Sequence, residues 1–468
     1  MRFFLKIWPL FLSCFFCVVI SSAQNTFISG TAPGAEGKDL RITTPGDRLT
    51  FTEKLLGQVE IDGMGNFSIA LELNKPTDAT LSVHFHTAEM ILEPGANYLL
   101  EIGAMNYDDV TESDPFLQAQ NLQVAILKPV PCGLNQQIGR FDSVYNSFLL
   151  DHFNAIYRDK KKNRIDSLRA ILNREFGTID NPFFVNYTTY KLASLEQSSF
   201  YYNTAQIARK YLIDKPVLYE NPEYMDFFNN FFSKYISVTS IPLHKIDFRP
   251  LFRKPDPEKV LMNALATDTL LKNDQLRELV LLKGLMEWYS MPGFETSDIL
   301  AVIHTIQKTS VYSENRVVAT NLIVFLTRLK PGGEAPAFTL QDRNQNEISL
   351  KDFKGKPVLL CFWTTWCDEC LIEMDFLAPL YEKYKGKIRF LSISADKYFS
   401  KMLLFINMKK DCTWDFAHIG DRMETLVDYD VRSYPLYVLI DSEGKIFRYP
   451  AGSPGRDLEA EIQQIIKE

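Results

Sequence analysis

The sequence predicts a multidomain chain with an all-β region at residues 24–103, an α-helical region at 104–331 and an α/β region at 332–468. Apolar and polar residues alternate in the first region, and apolar residues recur at helical spacing in the second. The third region contains an uninterrupted apolar run at 357–363, which is typical of a strand buried on both faces. A length of 468 residues agrees with about three domains.

Residues 1–23 have the pattern of a secretory signal peptide. Arg2 and Lys6 form a charged head, residues 7–20 an apolar core, and residues 21–23 a small-residue cleavage site. The core is shorter than the roughly 20 residues that span a bilayer. We therefore expect export to the periplasm or cell envelope of a Gram-negative-type bacterium.

Charge and cysteine content exclude some classes of function for this chain. A net charge of −7 makes the chain a poor binder of nucleic acid, and no nucleic-acid partner is expected. Two of the seven cysteines, Cys14 and Cys17, lie in the predicted signal, where a lipoprotein anchor or an uncleaved membrane anchor is the alternative to cleavage. The other five are an odd number, which argues against a disulfide-rich scaffold.

In the β region, alternating segments on either side of residues 62–66 predict a β-hairpin with its turn at Asp62-Gly63-Met64-Gly65-Asn66. His84 and His86 share one face of the next predicted strand. A metal site there is conceivable, but two histidines on such a face are more often surface residues. We predict no metal site in this chain.

The helical region shows apolar stripes at helical spacing, and Asn181-Pro182 and Asn221-Pro222 predict helix starts with an Asn cap. No fixed repeat period is present. An aromatic cluster either lines a peptide groove or, as is more usual, belongs to the core. Its members are Phe227, Phe228, Phe231, Phe232 and Tyr235. A Pro-Gly-Gly linker at 330–333 leads to the third region.

Cys367 and Cys370 form the Cys-x-x-Cys pair that follows the predicted buried strand. If Cys367 lies at the first turn of a helix, the open backbone N–H groups favour its thiolate, which is the nucleophile. The spacing also allows a reversible disulfide. Zinc would need a second pair of ligands, which the other cysteines and the histidines do not supply. A purely structural disulfide remains the other alternative.

Residues 331–468 resemble the thioredoxin-like, AhpC/TSA-related domain of extracytoplasmic thiol-disulfide oxidoreductases of the TlpA/ResA type. The resemblance rests on the Cys-x-x-Cys motif, on an extra segment at 388–413, and on three further blocks. These blocks are residues 333–340, 350–357 and 431–446. Residues 24–103 resemble the β-domain found at the N-terminus of large TlpA-type proteins.

The resemblance implies a thioredoxin-like fold in which Cys367 attacks a substrate disulfide and Cys370 resolves the mixed disulfide. It implies a cis peptide bond between Tyr434 and Pro435, and a substrate-binding role for these two residues and Trp366. The substrates would be disulfide-containing proteins, a membrane thiol donor would re-reduce the pair, and no cofactor beyond the disulfide is needed. Cytochrome c maturation and general disulfide repair both remain open.

Departures from the family pattern bear on mechanism. Cys361 replaces the buried carboxylate of thioredoxin, so we expect Glu373 to transfer the proton, although a solvated surface carboxylate is the alternative. Asp375 stands where many relatives have a helix-kinking proline. Acidic Asp368 and Glu369 disfavour the thiolate and predict a reductase or isomerase over a strong oxidase.

Two other functions are weighed against the oxidoreductase. A binding or interaction protein would use the fold only as a scaffold and would not need both cysteines, Trp366 and the Tyr434-Pro435 step. A thiol peroxidase would have a proline at the position of Leu360, seven residues before the nucleophile. The sequence therefore favours the oxidoreductase.

Overall fold

The computed structural model of the chain describes residues 24–84, 86–104, 120–128, 133–420 and 422–467. The predicted signal peptide and Cys132 lie outside these residues. Among the residues described, none of the helices combines the length and the apolar character needed to cross a bilayer.

The N-terminal region is built from two sheets that share one core. Its strands are β1 (Gln24–Thr31), β2 (Asp39–Pro45), β3 (Glu53–Glu60), β4 (Asn66–Leu73), β5 (Thr77–Val83), β6 (His86–Leu92), β7 (Asn97–Ile102), β8 (Gln120–Asn121) and β9 (Val124–Lys128). One sheet has the order β4-β1-β7-β9 and the other β3-β2-β5-β6-β8. Ile28 and Leu100 from the first sheet pack with Leu40 and Leu81 from the second, which confirms the predicted all-β architecture.

The predicted hairpin around residues 62–66 is wrong, because β3 and β4 belong to different sheets. The Asp62 carboxylate does close a tight turn, since it accepts the N–H groups of Met64 and Asn66 at 2.8 Å. The chain then crosses to the other layer, and Ile61 is buried at the corner. Turn chemistry alone does not reveal whether the two flanking strands pair.

Strands also continue beyond residue 103, where the periodicity predicts helices. β8 pairs with β6, and β9 pairs with β7. Most side chains of β9 are exposed, so this strand lacks the alternating apolar pattern that makes a strand recognisable. The first helix begins only at Leu134, and the domain limits at 103 and 331 stay predictions.

The middle region is helical, as predicted. Its α-helices are α1 (Leu134–Phe153), α2 (Lys162–Phe176), α3 (Pro182–Ser198), α4 (Thr204–Tyr211), α5 (Pro222–Phe231), α6 (Pro257–Leu265), α7 (Asp274–Trp288), α8 (Thr296–Thr309) and α9 (Ser313–Thr327). The Asn181 and Asn221 side chains cap α3 and α5 by accepting backbone N–H groups. The aromatic cluster from Phe227 to Tyr235 is buried. It is core, and the groove interpretation is wrong.

The C-terminal region is a layered α/β domain. Its elements are β10 (Thr339–Asp342), β11 (Glu347–Ser349), β12 (Val358–Trp363), α10 (Asp368–Tyr384), β13 (Arg389–Ser394), α11 (Phe399–Met408), β14 (Asp415–His418), α12 (Glu424–Asp428), β15 (Leu436–Ile440), β16 (Ile446–Arg448) and α13 (Leu458–Ile465). The sheet order is β11-β10-β14-β13-β12-β15-β16. β12 lies near the centre with all its residues buried, as its apolar run predicts.

The extra segment predicted at 388–413 forms β13 and α11, in the predicted order of strand and helix. β13 pairs in parallel with both β12 and β14. Pro379 lies inside α10, four residues after Asp375, and the helix nevertheless runs on to Tyr384.

Polar contacts join the three regions. Arg41 of β2 forms an ion pair of 2.9 Å with Glu424 of α12. The Asn321 side chain of α9 donates to the Asp47 carboxylate at 2.9 Å. The linker is also held in place, since Gly332 N–H donates to Ile446 O and Ile446 N–H donates to Gly333 O, at 2.7 and 2.8 Å. The linker therefore lies along the outer edge of β16.

Candidate active site

Cys367 is the N-cap residue of α10, directly after the loop that leaves β12. Its backbone is extended, with φ −88° and ψ 101°, and its Sγ accepts the backbone N–H of Cys370 at 3.1 Å. A sulfur at this position faces the open N–H groups and the positive dipole end of the helix. The predicted helix start is confirmed, and the first turn favours a thiolate on Cys367.

Cys367 and Cys370 form a disulfide, with their Cα atoms 5.2 Å apart. Cys367 is 8% exposed and Cys370 1% exposed. Cys367 is therefore the more accessible of the two cysteines.

A buried carboxylate anchors the loop in front of Cys367. Asp396, just after β13, accepts the Thr365 N–H at 2.9 Å and the Thr365 hydroxyl at 2.7 Å. It also accepts the Ser394 hydroxyl at 2.7 Å. The backbone O of Asp396 in turn accepts from His418 Nε2 at 2.7 Å, while His418 Nδ1 accepts Gly420 N–H at 3.0 Å. This network fixes the backbone two residues before the first cysteine.

The peptide bond between Tyr434 and Pro435 is cis, as expected from the resemblance. It immediately precedes β15, which pairs with β12. The Tyr434 ring meets the ring of Trp366 edge to face, with centroids 5.8 Å apart. Trp366 is 52% exposed. Trp366 and Tyr434 therefore form one aromatic surface next to Cys367, and Pro435 follows Tyr434 directly in the chain.

Glu373 lies one helical turn beyond Cys370 and is only 9% exposed, so its carboxylate is not a solvated surface group. Burial raises the pKa of this carboxyl, and the nearby Tyr437 hydroxyl partly opposes the rise. Two helical residues at this spacing are neighbours on one face. Glu373 is therefore close to Cys370 and is inclined to hold a proton.

Cys361 and Tyr437 are neighbours across the β12–β15 pairing, on the sheet face that α10 covers. Burial raises the pKa of the Cys361 thiol to about 12. It stays neutral at physiological pH and cannot replace the missing carboxylate as a base. Burial, Cys361 and Glu373 all raise the pKa of the Tyr437 hydroxyl above its usual value.

Sequence reasoning missed two residues at this site, Asp396 and Tyr437. Asp396 follows a predicted buried strand, a position where polar side chains often meet a site in parallel sheets. Tyr437 lies two residues after Pro435 and therefore shares its face of the strand. The sequence therefore contains a signal for each residue, but neither signal shows which side chain the residue contacts.

No group of three or more histidine, cysteine, aspartate or glutamate side chains suited to a metal occurs among the described residues. His86 is buried at the start of β6 rather than on a solvated strand face, so the surface interpretation of that residue is wrong.

Comparison with known proteins identifies the chemistry. Residues 331–448 match the model of the AhpC/TSA family. The thiol-disulfide oxidoreductase ResA of Bacillus thuringiensis subsp. konkukian (strain 97-27) is 35% identical over 140 residues, which are 30% of this chain and 80% of that protein. The chain belongs to the ResA-like thiol-disulfide oxidoreductases.

A second ResA supports the same assignment of this ResA-like protein. ResA of Bacillus subtilis (strain 168) is 31% identical over 141 residues, covering 30% of this chain and 77% of that protein. A thioredoxin domain of a Bacteroides vulgatus thiol-disulfide oxidoreductase aligns with 30% identity over 30% of this chain and 99% of that one, with a TM-score of 0.28. The ResA-like region carries a thioredoxin-like fold and the enzyme class of a thiol-disulfide oxidoreductase.

Proposed function

We propose that this ResA-like protein is an exported reductase of disulfides in protein substrates, acting through Cys367 and Cys370. The observation that carries the proposal is the placement of Cys367 at the helix N-cap with Cys370 buried behind it. The binding-protein alternative gains no support from a pair arranged for exchange. A zinc site and a purely structural disulfide are the two other interpretations of these cysteines. Neither would require Cys367 to lie at the helix N-cap.

The reaction has two exchanges. The Cys367 thiolate attacks a substrate sulfur, a mixed disulfide forms, and the first substrate thiolate leaves and takes up a proton. Cys370 then loses its proton and attacks Cys367 Sγ, which reforms the Cys367–Cys370 disulfide and releases the second substrate thiol. Two electrons pass from the protein to the substrate.

The reducing direction rests on Asp368 and Glu369, which are exposed in the first turn of α10. Their negative charges oppose a thiolate at the same helix end that the backbone N–H groups favour. A thiolate that is less stabilised makes the dithiol a stronger reductant. Neutralising both residues, as Asp368→Asn with Glu369→Gln, should shift the glutathione equilibrium toward the dithiol; an unchanged equilibrium would remove this argument.

Glu373 is proposed to accept the proton of Cys370 during resolution. It is buried, lies one turn from Cys370, and has a raised pKa, as a general base near neutral pH requires. In a Glu373→Gln variant we expect the second exchange to be slower. The increase of its rate with pH should then reflect only the ionisation of the Cys370 thiol. Wild-type rates at every pH would exclude this role.

Trp366, Tyr434 and Pro435 are proposed to bind the substrate chain. Trp366 offers a large exposed ring beside Cys367, and Pro435 has no N–H that would need a partner near the sulfurs. Trp366→Ala should raise KM for a protein disulfide and leave the rate with oxidised dithiothreitol nearly unchanged. Equal losses with both substrates would instead indicate damage to the cysteine pair.

Export and re-reduction belong to the same proposal. Residues 1–23 would direct the chain across the membrane, and a membrane thiol donor would return the pair to the dithiol. A membrane-impermeant thiol reagent applied to intact spheroplasts checks both points. We expect it to label Cys367 in cells with an active donor; a chain protected from the reagent would contradict export.

The decisive test of the function is a Cys370→Ser variant, in which the mixed disulfide cannot be resolved. We expect it to accumulate covalent complexes with envelope proteins that reducing agent releases. Cys412→Ser is the matched control, because Cys412 is a buried free cysteine of the same domain. If the Cys370→Ser variant traps no more protein than the control, the reductase proposal fails. The peroxidase alternative is tested by adding hydrogen peroxide to the wild-type protein and measuring the rate at which the peroxide is consumed.

A further inference from the structure

Tyr437 is a buried residue of β15 whose side chain lies on the sheet face covered by α10. We propose that Tyr437 is a positioning residue whose hydroxyl group holds the Glu373 carboxylate in its ionised form, ready to receive the proton of Cys370. This inference rests on the proposed proton transfer by Glu373 and adds the group that controls it.

The geometry brings three polar groups together below the disulfide. Tyr437 pairs with Cys361 across adjacent strands, and both lie in the same cluster as Cys370. Among the described residues, Tyr437 Oη and Glu373 Oε2 are buried away from other hydrogen-bond partners, and the two side chains are close enough for the Tyr437 hydroxyl to interact with the Glu373 carboxyl. Buried polar atoms are rarely left unpaired, so this donor and this acceptor are each other's natural partners.

The chemistry of resolution gives this pair a role. In the disulfide state no proton has to leave Cys370, and Glu373 can remain protonated, with little attraction for the Tyr437 O–H. When Cys370 is a thiol that must react, an ionised Glu373 would accept the Tyr437 O–H as a charge-assisted bond, which is stronger than a neutral one. The proton then moves from Cys370 Sγ to the Glu373 carboxylate, and the Cys370 thiolate attacks the mixed disulfide.

The surrounding charges leave Tyr437 as the group best placed to tune Glu373. Glu369 on the same helix raises the pKa of the Glu373 carboxyl, whereas Arg456 from the segment before α13 and Tyr437 lower it. From β12, Cys361 faces the same space as a neutral thiol. Tyr437 is the group in this set that both donates a hydrogen bond and is buried against the carboxyl.

The test follows resolution in the full-length protein. Cys367 is converted to a mixed disulfide with thionitrobenzoate, and release of the coloured thiolate reports the attack by Cys370 over a range of pH. In Tyr437→Phe we expect the apparent pKa of the rate to rise by about one pH unit or more, because a bond to a charged group is lost. Tyr429→Phe is the control, since Tyr429 is a buried tyrosine in the core on the opposite sheet face.

A second variant keeps the test independent of folding. Replacing Tyr437 with 3,5-difluorotyrosine keeps the ring and makes the hydroxyl a stronger donor, so the apparent pKa should fall. Opposite shifts in the two variants support the inference, and no shift in either overturns it. Glu373→Gln distinguishes the proposed proton transfer by Glu373 from the proposed role of Tyr437. If this variant leaves the pH profile unchanged, the proton transfer by Glu373 is wrong. If it alters the profile while the Tyr437 variants do not, only the role of Tyr437 is wrong.

Discussion

Glu373 shows how one buried carboxyl links activity to stability. Because burial raises its pKa, the folded state holds this proton more tightly than the unfolded state. Its contribution to stability is complete below its usual pKa of 4.5 and is lost as the pH rises through the raised value. A base placed for proton transfer therefore costs the fold stability at the pH where it works.

We predict that Glu373→Gln matches the wild type in stability below about pH 4 and exceeds it at pH 8. The gain is about 1.4 kcal/mol for each unit by which the pKa is raised. Thermal unfolding of the oxidised proteins at both pH values measures it. Glu382→Gln, an exposed carboxylate at the far end of the same helix, should show no such gain, and a lower stability of Glu373→Gln at pH 8 would contradict the argument.

At the residue scale the sequence predicts what local chemistry determines. The Cys367–Cys370 spacing and the helix start are each encoded within a few residues and could be assigned from the sequence, and the cis bond at Tyr434-Pro435 followed from the family resemblance. Asp396 and Tyr437 could not, because each acquires its role by meeting a side chain distant in sequence. Residue type and spacing carry no information about such a meeting.

The loop between β12 and α10 owes its shape to β13, the neighbouring strand. Asp396 takes three bonds from Thr365 and Ser394 and so fixes the approach to Cys367. Hydrogen bonds to a charged group contribute about 1.5–3 kcal/mol each. The active-site loop is thus set by an element that contains no catalytic residue.

We predict that Asp396→Asn lowers the free energy of unfolding by about 1–3 kcal/mol, because part of this charged network becomes neutral. We also expect slower attack by Cys367, measured as the rate of its alkylation by iodoacetamide in the reduced protein. Asp441→Asn is the control: Asp441 accepts backbone N–H groups in the turn at the far end of β15. A slowing of equal size in the control would show that stability alone explains the effect.

His418, at the end of β14, is held as a neutral ring. Its Nδ1 accepts Gly420 N–H, so Nε2 carries the proton donated to Asp396 O. Burial lowers the pKa of this imidazole, although the nearby Asp396 partly opposes the fall. A second proton on Nδ1 would break the Gly420 bond.

Stability from His418 is therefore complete above about pH 6.5 and is lost as the pH falls toward the lowered pKa. We predict that His418→Gln flattens this part of the pH–stability curve, measured by urea unfolding at pH 7 and pH 5. His304→Gln, on the outer face of α8, should leave the curve unchanged. A curve that keeps its full slope in His418→Gln would mean that other groups cause the acid sensitivity.

At the scale of elements, most strands and helices follow from periodicity. The crossing between sheets after β3 and the short strand β9 do not, because pairing partners and exposed edge strands leave no local pattern. The same limit applies to the helical region, where the aromatic cluster could be assigned to the core only once its burial was known.

At the scale of the whole molecule, the linker is hydrogen-bonded to the edge of the catalytic domain's sheet. Gly332 and Gly333 bond to Ile446 of β16, the last strand of that sheet, and Ala335 bonds to Gly444 in the turn before it. The upstream regions add further contacts, including the ion pair between Arg41 and Glu424, the first residue of the helix that precedes Tyr434. We infer that the regions before residue 330 are held in a fixed position relative to the active site.

We predict that a fragment of residues 330–468 is more stable than one of residues 337–468, by about 0.5–1.5 kcal/mol for each of the backbone bonds to β16. Urea unfolding and light scattering compare the two. The shorter fragment should also self-associate, since an uncovered edge strand offers unpaired N–H and C=O groups. Two monomeric fragments of equal stability would show that the linker does not matter.

The covered edge of β16 has a consequence for how such chains arise. A catalytic domain whose last strand is completed by the segment ahead of its first strand cannot be joined to a new partner at any arbitrary point. We expect a workable junction to lie upstream of residue 330, so that the Pro-Gly-Gly stretch stays with the catalytic unit. The stretch that resembles a flexible spacer in the sequence would then be inherited together with the domain that follows it.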